Sequence, residues 1–213
     1  MHLWQAWIGL LQDVLHLMAI NWGLGTGLAV IVLTTGVRVS LIPLTWSLAY
    51  RAAVRQAKLA KLAPALKLIR EQHAADRHAQ MHKTMELHRQ HGLSVADGKG
   101  LLGALLQMPV IYGLYKALSS GVGTTAFLWI RNLGRPDRVL ALLAAVSTAA
   151  AMAAAPHMSE QARLIIVLLP AVLCFVAALH FSSGIALYWI TTNLFSTVQT
   201  LVLRHTMRRA GIA

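Results

Sequence analysis

The chain has 213 residues, of which 57% are hydrophobic and only 12% are charged, and its mean hydropathy is +0.59. Repeated apolar runs long enough to cross a bilayer exclude an ordinary soluble domain and predict an all-α polytopic membrane protein with a single core domain over residues 1–213. The net charge of +12 favours basic loops beside anionic lipid, or an anionic partner such as RNA, and the lone Cys174 excludes a disulfide framework.

The N-terminal residues 2–18 place apolar side chains at helical spacing, while the polar side chains fall largely on another face. This pattern predicts an amphipathic helix that lies in the membrane interface, and a poor extra membrane span is the alternative. The segment lacks the basic start of a cleavable signal peptide, so we expect no cleavage here.

The first predicted membrane span covers residues 21–45 and contains one formal charge, Arg38. A charge at the centre of a bilayer costs about 2.5–3.5 kcal/mol on insertion scales, so its presence indicates a function. Thr34 lies one helical turn before Arg38 and on the same face. We therefore expect both side chains to face protein or water, with an arginine that snorkels to the headgroups as the alternative.

Residues 46–99 change character, because ten Lys and Arg residues occur there against four acids. Apolar residues at helical spacing on both sides of residues 74–76 predict a water-exposed hairpin of two helices, and Pro64 is expected to kink or interrupt the first. His78 and His82 have the spacing of a metal pair, but solvated positions are favoured and no metal site is predicted. The cations predicted to meet partners are Arg51, Arg55, Lys58, Lys61, Lys67 and Arg70.

Four further spans follow the hairpin, and two of them are polar. Gln107 lies mid-way along the second span, and Trp189 and Asn193 share one face of the last span. We expect these groups to face one another or water, although ordinary hydrogen bonds between helices explain Gln107 and Asn193 equally well. The predicted ranges are 101–118, 139–155, 163–181 and 184–203 for the spans and 204–213 for a basic tail.

The distribution of basic residues predicts the topology. The hairpin carries ten Lys and Arg residues and the tail adds three arginines, whereas the loop at residues 119–138 on the opposite side has three. The positive-inside rule therefore places the N-terminus outside, and the hairpin and the C-terminus in the cytoplasm.

No catalytic motif is present, and no acidic residue lies within a predicted span. The chain is therefore predicted not to be an enzyme, and a proton-coupled pump is disfavoured. A channel or transporter for a small anion, with Arg38 as its binding charge, and an accessory subunit of another membrane complex stay open as alternatives. Polar positions clustered in the inner half of the first span favour a dead-end groove over a pore.

Several segments match a known family in order and spacing over nearly the whole chain. They are NWGLG at 21–25, VR…PLT at 37–45, LAPALKLIRE at 62–71, LLQMPVIYGLY at 105–115, FLWIRNL at 127–133 and SSGIALYWITTNLFSTVQ at 182–199. With the intramembrane arginine and the basic hairpin, these segments make the chain resemble the core of the YidC/Oxa1/Alb3 membrane protein insertases.

The resemblance implies five membrane helices around a positively charged hydrophilic groove that is open to the cytoplasm and the bilayer. Arg38 would attract acidic or polar segments of a client, and the groove lining would comprise Thr34, Gln107, Tyr188 and Trp189, to which the polar face of the last span adds Asn193. The clients implied are nascent membrane proteins.

The same resemblance implies the partners and the location. The hairpin would meet incoming chains and the ribosome or targeting factors, the Sec translocon is a candidate partner, and membrane lipids surround the core. No DNA, nucleotide or other cofactor is implied. The simplest location is the bacterial plasma membrane.

Overall fold

The structure is a computed structural model that describes residues 2–93, 112–113, 115–116, 125–155 and 160–211. Within these ranges the chain forms α-helices and no β-strand, which confirms the predicted all-helical class. Most of the predicted span 101–118, including Gln107, lies outside them. The helices are α1 (His2–His16), α2 (Gly25–Ser40), α3 (Ile42–Gln72), α4 (Arg77–Gln90), α5 (Arg138–Ala154), α6 (Glu160–Ala178) and α7 (Ser183–Arg209).

The first predicted span, residues 21–45, is not one straight helix. Within the described ranges no helix taken alone has both the length and the apolar character needed to cross a bilayer, and α2 with α3 has them only as a pair bent by 65°. The bend lies at Leu41, whose backbone N–H still bonds to Val37 O at 3.1 Å. Pro43 follows in the first turn of α3, where a proline is tolerated because the first N–H groups of a helix have no partner within that helix.

A tight reversal joins α1 to α2. A π-helical turn at Leu17–Asn21 extends α1 beyond the predicted end at residue 18, and Gly23 and Gly25 then adopt φ angles of 67° and 70°. Such left-handed angles are open to glycine without steric cost. The reversal lays the end of this segment against α2, where Leu15 and Met18 are buried in the main core.

The basic hairpin consists of α3 and α4, which are joined by a turn at residues 73–76 and contact each other. Asp76 begins α4 as its N-cap, because its carboxylate accepts the backbone N–H groups of His78 and Ala79 at 2.9 and 3.0 Å. The predicted interruption at Pro64 is not found, since α3 continues through this exposed residue.

The helix α5 packs closely on both α6 and α7 through small side chains. Ala141 and Ala144 of α5 and Ala178 of α6 are almost fully buried in one cluster. Alanines let helix backbones approach each other, which is how helices associate where lipid removes the hydrophobic driving force. The large apolar side chains of these helices instead point outward and are exposed, among them Val139, Leu142, Val146, Leu164, Ile165, Leu168, Val172 and Val176.

The last helix connects the main core to the base of the hairpin. Near its start Ile185 and Tyr188 are buried against α2, and near its end Leu203 and Met207 pack on Ala53 of α3. The predicted tail at residues 204–213 is therefore helical as far as Arg209, and Met207 is only 3% exposed. The reason is that Leu203 and Met207 lie one turn apart and present one apolar face to α3.

Candidate functional site

Polar side chains meet where α2 packs on α7. Thr34 and Arg38 lie one turn apart on α2, and Tyr188 and Thr192 lie one turn apart on α7. Thr34 is 1% exposed and Tyr188 is 3% exposed, while Arg38 is half-buried and lies near enough to the Tyr188 hydroxyl to interact with it electrostatically. We call these four residues the Arg38 cluster.

Three side-chain atoms of the Arg38 cluster have no hydrogen-bond partner among the described residues. They are Arg38 Nη2, Thr34 Oγ1 and Thr192 Oγ1, and all three are shielded from the surface. The neighbouring Thr35 differs, because its hydroxyl donates to Ile31 O at 2.8 Å within its own helix. Since buried polar groups are almost always paired, these three atoms mark a place that suits an incoming polar group.

The predicted lining residues Trp189 and Asn193 lie on a different face of α7, directed toward α5 and α6. Asn193 Nδ2 donates to Thr148 Oγ1 at 2.8 Å and to Ser147 Oγ at 3.2 Å, both on α5. Trp189 packs edge-on against Phe181, with 5.9 Å between ring centroids. For Asn193 the geometry matches the open alternative of an ordinary hydrogen bond between helices.

The sequence prediction missed Thr192 and the two hydroxyl partners of Asn193. Thr192 follows Tyr188 by four residues, so the shared face could have been found from the spacing alone. Ser147 and Thr148 are adjacent hydroxyl residues in a run of Ala, Leu and Val, which is a weaker signal. Of the predicted lining, Gln107 lies outside the described residues, and Arg38, Thr34 and Tyr188 come together.

The predicted partner-binding cations of the hairpin fall into two groups along α3. Arg51, Arg55 and Lys58 line a cavity of about 270 Å³ near the base of the hairpin. Arg70 lines a second cavity of about 510 Å³ between α3 and α4, and Lys67 beside it forms an exposed ion pair with Glu71 at 3.8 Å. Lys61 is exposed between the two groups.

The hairpin histidines do not assemble a metal site in the part of the chain that is described. No three His, Cys, Asp or Glu side chains converge there closely enough to hold an ion. His91 Nδ1, just after α4, instead lies 2.9 Å from Leu87 O of that helix, and His78 and His82 are exposed.

The contact of Asn193 with α5 leads to a stability prediction. We expect Asn193→Leu to lower the free energy of unfolding by about 1 kcal/mol, because hydrogen bonds between membrane helices contribute on that scale. Denaturant titration in detergent micelles, followed by circular dichroism, would measure the change. Thr191→Val is the matched control, since the Thr191 hydroxyl bonds only to Leu187 O within α7 at 2.8 Å in the described structure.

A double-mutant cycle separates the hydrogen bond from other effects of the substitution. If Asn193 acts through Thr148, the loss caused by Asn193→Leu should shrink when Thr148 is already valine. If the two substitutions lower the free energy of unfolding additively, the leucine destabilises through its shape and not through the lost hydrogen bond.

A family profile and several known proteins match this chain over most of its length. Residues 15–210 match the profile of the 60Kd inner membrane protein family. The chain is 34% identical over 203 residues to "Membrane protein insertase YidC 1" of Bacillus anthracis, covering 88% of this chain and 75% of that protein. It is 32% identical over 216 residues to "Membrane protein insertase YidC" of Wolinella succinogenes, covering 96% of this chain but only 38% of that protein.

A solved structure shows the same fold. The crystal structure described as an active YidC insertase with its first transmembrane domain resolved superposes with a TM-score of 0.60 at 19% sequence identity. The superposition covers 93% of this chain and 45% of that one. Because the family profile and the relatives extend over nearly the whole chain, this protein belongs to the 60Kd inner membrane protein family.

Proposed function

We propose that this protein is a membrane protein insertase, which guides hydrophobic segments of newly made proteins from the cytoplasm into the bilayer. The observation that carries the proposal is the buried Arg38 cluster, where a guanidinium nitrogen and two threonine hydroxyls have no partner among the described residues. Two relatives that are at least 32% identical carry the name membrane protein insertase, which agrees with it.

The proposed mechanism is thermodynamic and needs no catalytic group. For a client segment that crosses an intact bilayer, each charge at the bilayer centre costs about 2.5–3.5 kcal/mol of free energy. A polar groove that reaches part of the way shortens this crossing, and the Arg38 guanidinium stabilises a carboxylate that enters it. Apolar client helices then leave sideways into lipid, so the protein is not an enzyme and uses no nucleotide.

We propose that five helices span the bacterial plasma membrane, with the N-terminus outside and the C-terminus in the cytoplasm. The exposed apolar side chains along α5 and α6 support lipid contact at these helices. The excess of Lys and Arg in the hairpin supports its cytoplasmic position. Arg38, Thr34, Tyr188 and Gln107 would line the groove, while Trp189 and Asn193 would hold α7 in place beside it.

We propose that the hairpin meets incoming clients and the factors that deliver them. Five of the six hairpin cations that the sequence predicts to meet partners are exposed. The sixth, Arg55, is half-buried at the cavity that it lines together with Arg51. Such a surface suits acidic chain segments, the ribosome or a targeting factor, and the Sec translocon is a further candidate partner.

The function is tested with the purified protein alone in liposomes. The client is a single-span protein with a short acidic tail, and protection of this tail from external protease reports insertion. We expect protection well above that of empty liposomes and without nucleotide. Protection equal to that of empty liposomes would contradict autonomous insertion and favour a role as accessory subunit.

A further inference from the structure

A tight turn between Phe127 and Ile130 presents two large apolar residues at its tip. The backbone N–H of Phe127 donates to Ile130 O at 2.8 Å, and the N–H of Ile130 donates to Phe127 O at 2.9 Å. Between them Leu128 is 74% exposed and Trp129 is 52% exposed. We call Leu128 and Trp129 the apolar tip.

The backbone of the apolar tip is strained. Leu128 has a φ of 52°, and among the described residues it is the only non-glycine with a positive φ. Glycine would adopt this angle without steric cost, whereas a leucine is strained. The surrounding fold imposes the conformation, because Ile130 is buried and Phe127 packs on Gly27 of α2. A strained residue whose side chain contributes little to packing indicates a role outside the fold.

The position of the turn indicates where the apolar tip lies. The loop that follows it caps the start of α7, since the N–H of Ser183 donates to Arg135 O at 3.0 Å and that of Gly184 to Leu133 O at 3.1 Å. The hairpin base packs at the other end of α7, on Met207. As α7 has 27 residues and is about 40 Å long, the apolar tip and the hairpin base are about one bilayer apart.

The turn also continues the outward apolar face of α5. Trp129 Nε1 donates to Asp137 Oδ1 at 3.5 Å, and the same carboxylate oxygen accepts the N–H of Leu140 as the N-cap of α5. The next residues on the outer side of α5, Val139 and Leu142, are 51% and 55% exposed. The indole therefore lies at the end of the apolar row that we assign to lipid.

The charges around the apolar tip favour an anionic surface over a neutral or cationic one. Arg131, Arg135 and Arg138 are all exposed within ten residues of Leu128. The acid nearest in sequence, Asp137, is engaged by the α5 N-terminus and by Trp129. A tryptophan and a leucine framed by arginines are typical of a segment that sits at the level of anionic headgroups.

We propose that the apolar tip is a membrane anchor: Leu128 and Trp129 enter the headgroup region of the leaflet opposite the hairpin, and the flanking arginines bind lipid phosphates there. This proposal rests on the membrane placement proposed above. It gives a reason for the strained leucine, since a glycine would relieve the strain and lose the apolar contact with lipid. The anchor would hold the end of the core where α5 and α7 begin at a fixed depth.

The test places a fluorescent label at single cysteines of the full chain in a Cys174→Ser background. The chain is reconstituted in vesicles of phosphatidylethanolamine and phosphatidylglycerol. For Leu128→Cys we expect quenching by a lipid with a spin label near the headgroup, and several-fold weaker quenching by aqueous iodide than for Gly134→Cys. Gly134 is the matched control because it is exposed in the same loop.

A third label at Leu142→Cys separates this proposal from the membrane placement on which it rests. If Leu142 is quenched by lipid but Leu128 is as open to iodide as Gly134, the anchor is wrong and the apolar tip awaits a protein partner instead. If Leu142 is also open to iodide, the placement of α5 in lipid fails first, and the anchor fails with it.

The variant Leu128→Gly tests the meaning of the strain. We expect an unchanged or higher thermal midpoint in detergent, together with several-fold stronger iodide quenching of a label at Trp129→Cys in vesicles than when Leu128 is present. A lower midpoint would show that Leu128 is needed for folding, and would overturn the assignment of the strain to membrane contact.

Discussion

Replacing Arg38 with alanine is expected to reduce insertion of clients with acidic translocated tails about tenfold, and of clients with neutral tails much less. A guanidinium and a carboxylate 4 Å apart attract each other by about 4 kcal/mol at an effective dielectric constant of 20, and a tenfold change needs about 1.4 kcal/mol of this. The Arg38 cluster is mostly buried, so water weakens the attraction less than it would at a surface.

The experiment compares two clients that differ only in tail charge, in the liposome assay described above. Arg38→Lys keeps the positive charge and should retain most insertion of the acidic client, although the lysine loses the planar fork of the guanidinium. Equal losses for the acidic and neutral clients with Arg38→Ala would contradict the electrostatic role and favour a role in packing α2 on α7.

The Thr34 hydroxyl of the Arg38 cluster can be tested in the same assay with a control in the adjacent residue. Thr34→Val removes a hydroxyl that has no partner among the described residues, whereas Thr35→Val removes one that already bonds to Ile31 O. If the groove uses its unpaired groups, only Thr34→Val should lower insertion. We expect a smaller loss than for Arg38→Ala, because a neutral hydrogen bond contributes only about 0.5–1.5 kcal/mol.

The largest effect on stability is expected for a substitution of Gly27, because the ring of Phe127 packs against α2 at this residue. A Cβ atom added at Gly27 would overlap this ring, so we expect Gly27→Ala to lower the free energy of unfolding by about 1–3 kcal/mol. Gly36 provides the control in the same helix, because a Cβ there meets nothing within 4 Å. Gly36→Ala should stabilise by about 0.5–1 kcal/mol through helix propensity.

Denaturant titration in detergent micelles would measure both variants. The loss in Gly27→Ala should be partly recovered by adding Phe127→Ala, although the second change alone removes apolar contacts and is itself unfavourable. Purely additive effects of the two changes would show that the ring moves away freely. Parallel behaviour of Gly27→Ala and Gly36→Ala would likewise argue against a close contact at Gly27.

Much of this protein's architecture follows from local sequence. Runs of apolar residues predicted helices near the observed α5, α6 and α7, because helix formation in an apolar environment depends mainly on hydropathy over consecutive residues. The presence of Arg38 in an apolar run, with Thr34 one turn away, likewise identified the centre of the candidate site. A charge that is costly in lipid is recognisable without knowing its neighbours.

The tertiary structure decided which faces of the helices meet. Tyr188 and Trp189 are adjacent in sequence, yet Tyr188 faces α2 beside Arg38, whereas Trp189 packs toward α6 and Asn193 bonds to α5. Neighbouring residues on a helix point about 100° apart, so hydropathy alone cannot assign each polar side to a partner. The same holds for Gly27, whose need for a small residue comes from Phe127, a hundred positions away in the chain.

The bend at Leu41 and the strained backbone of Leu128 are likewise features that the tertiary structure decided. The sequence itself determined that this is a helical membrane protein with a basic hairpin and an arginine in an apolar run, because those properties are sums over local composition. Only the tertiary structure decided which polar groups at the α2–α7 contact have no partner among the described residues, and which apolar side chains are exposed. Both depend on packing between segments that are far apart in the chain, and local sequence does not reveal which segments pack together.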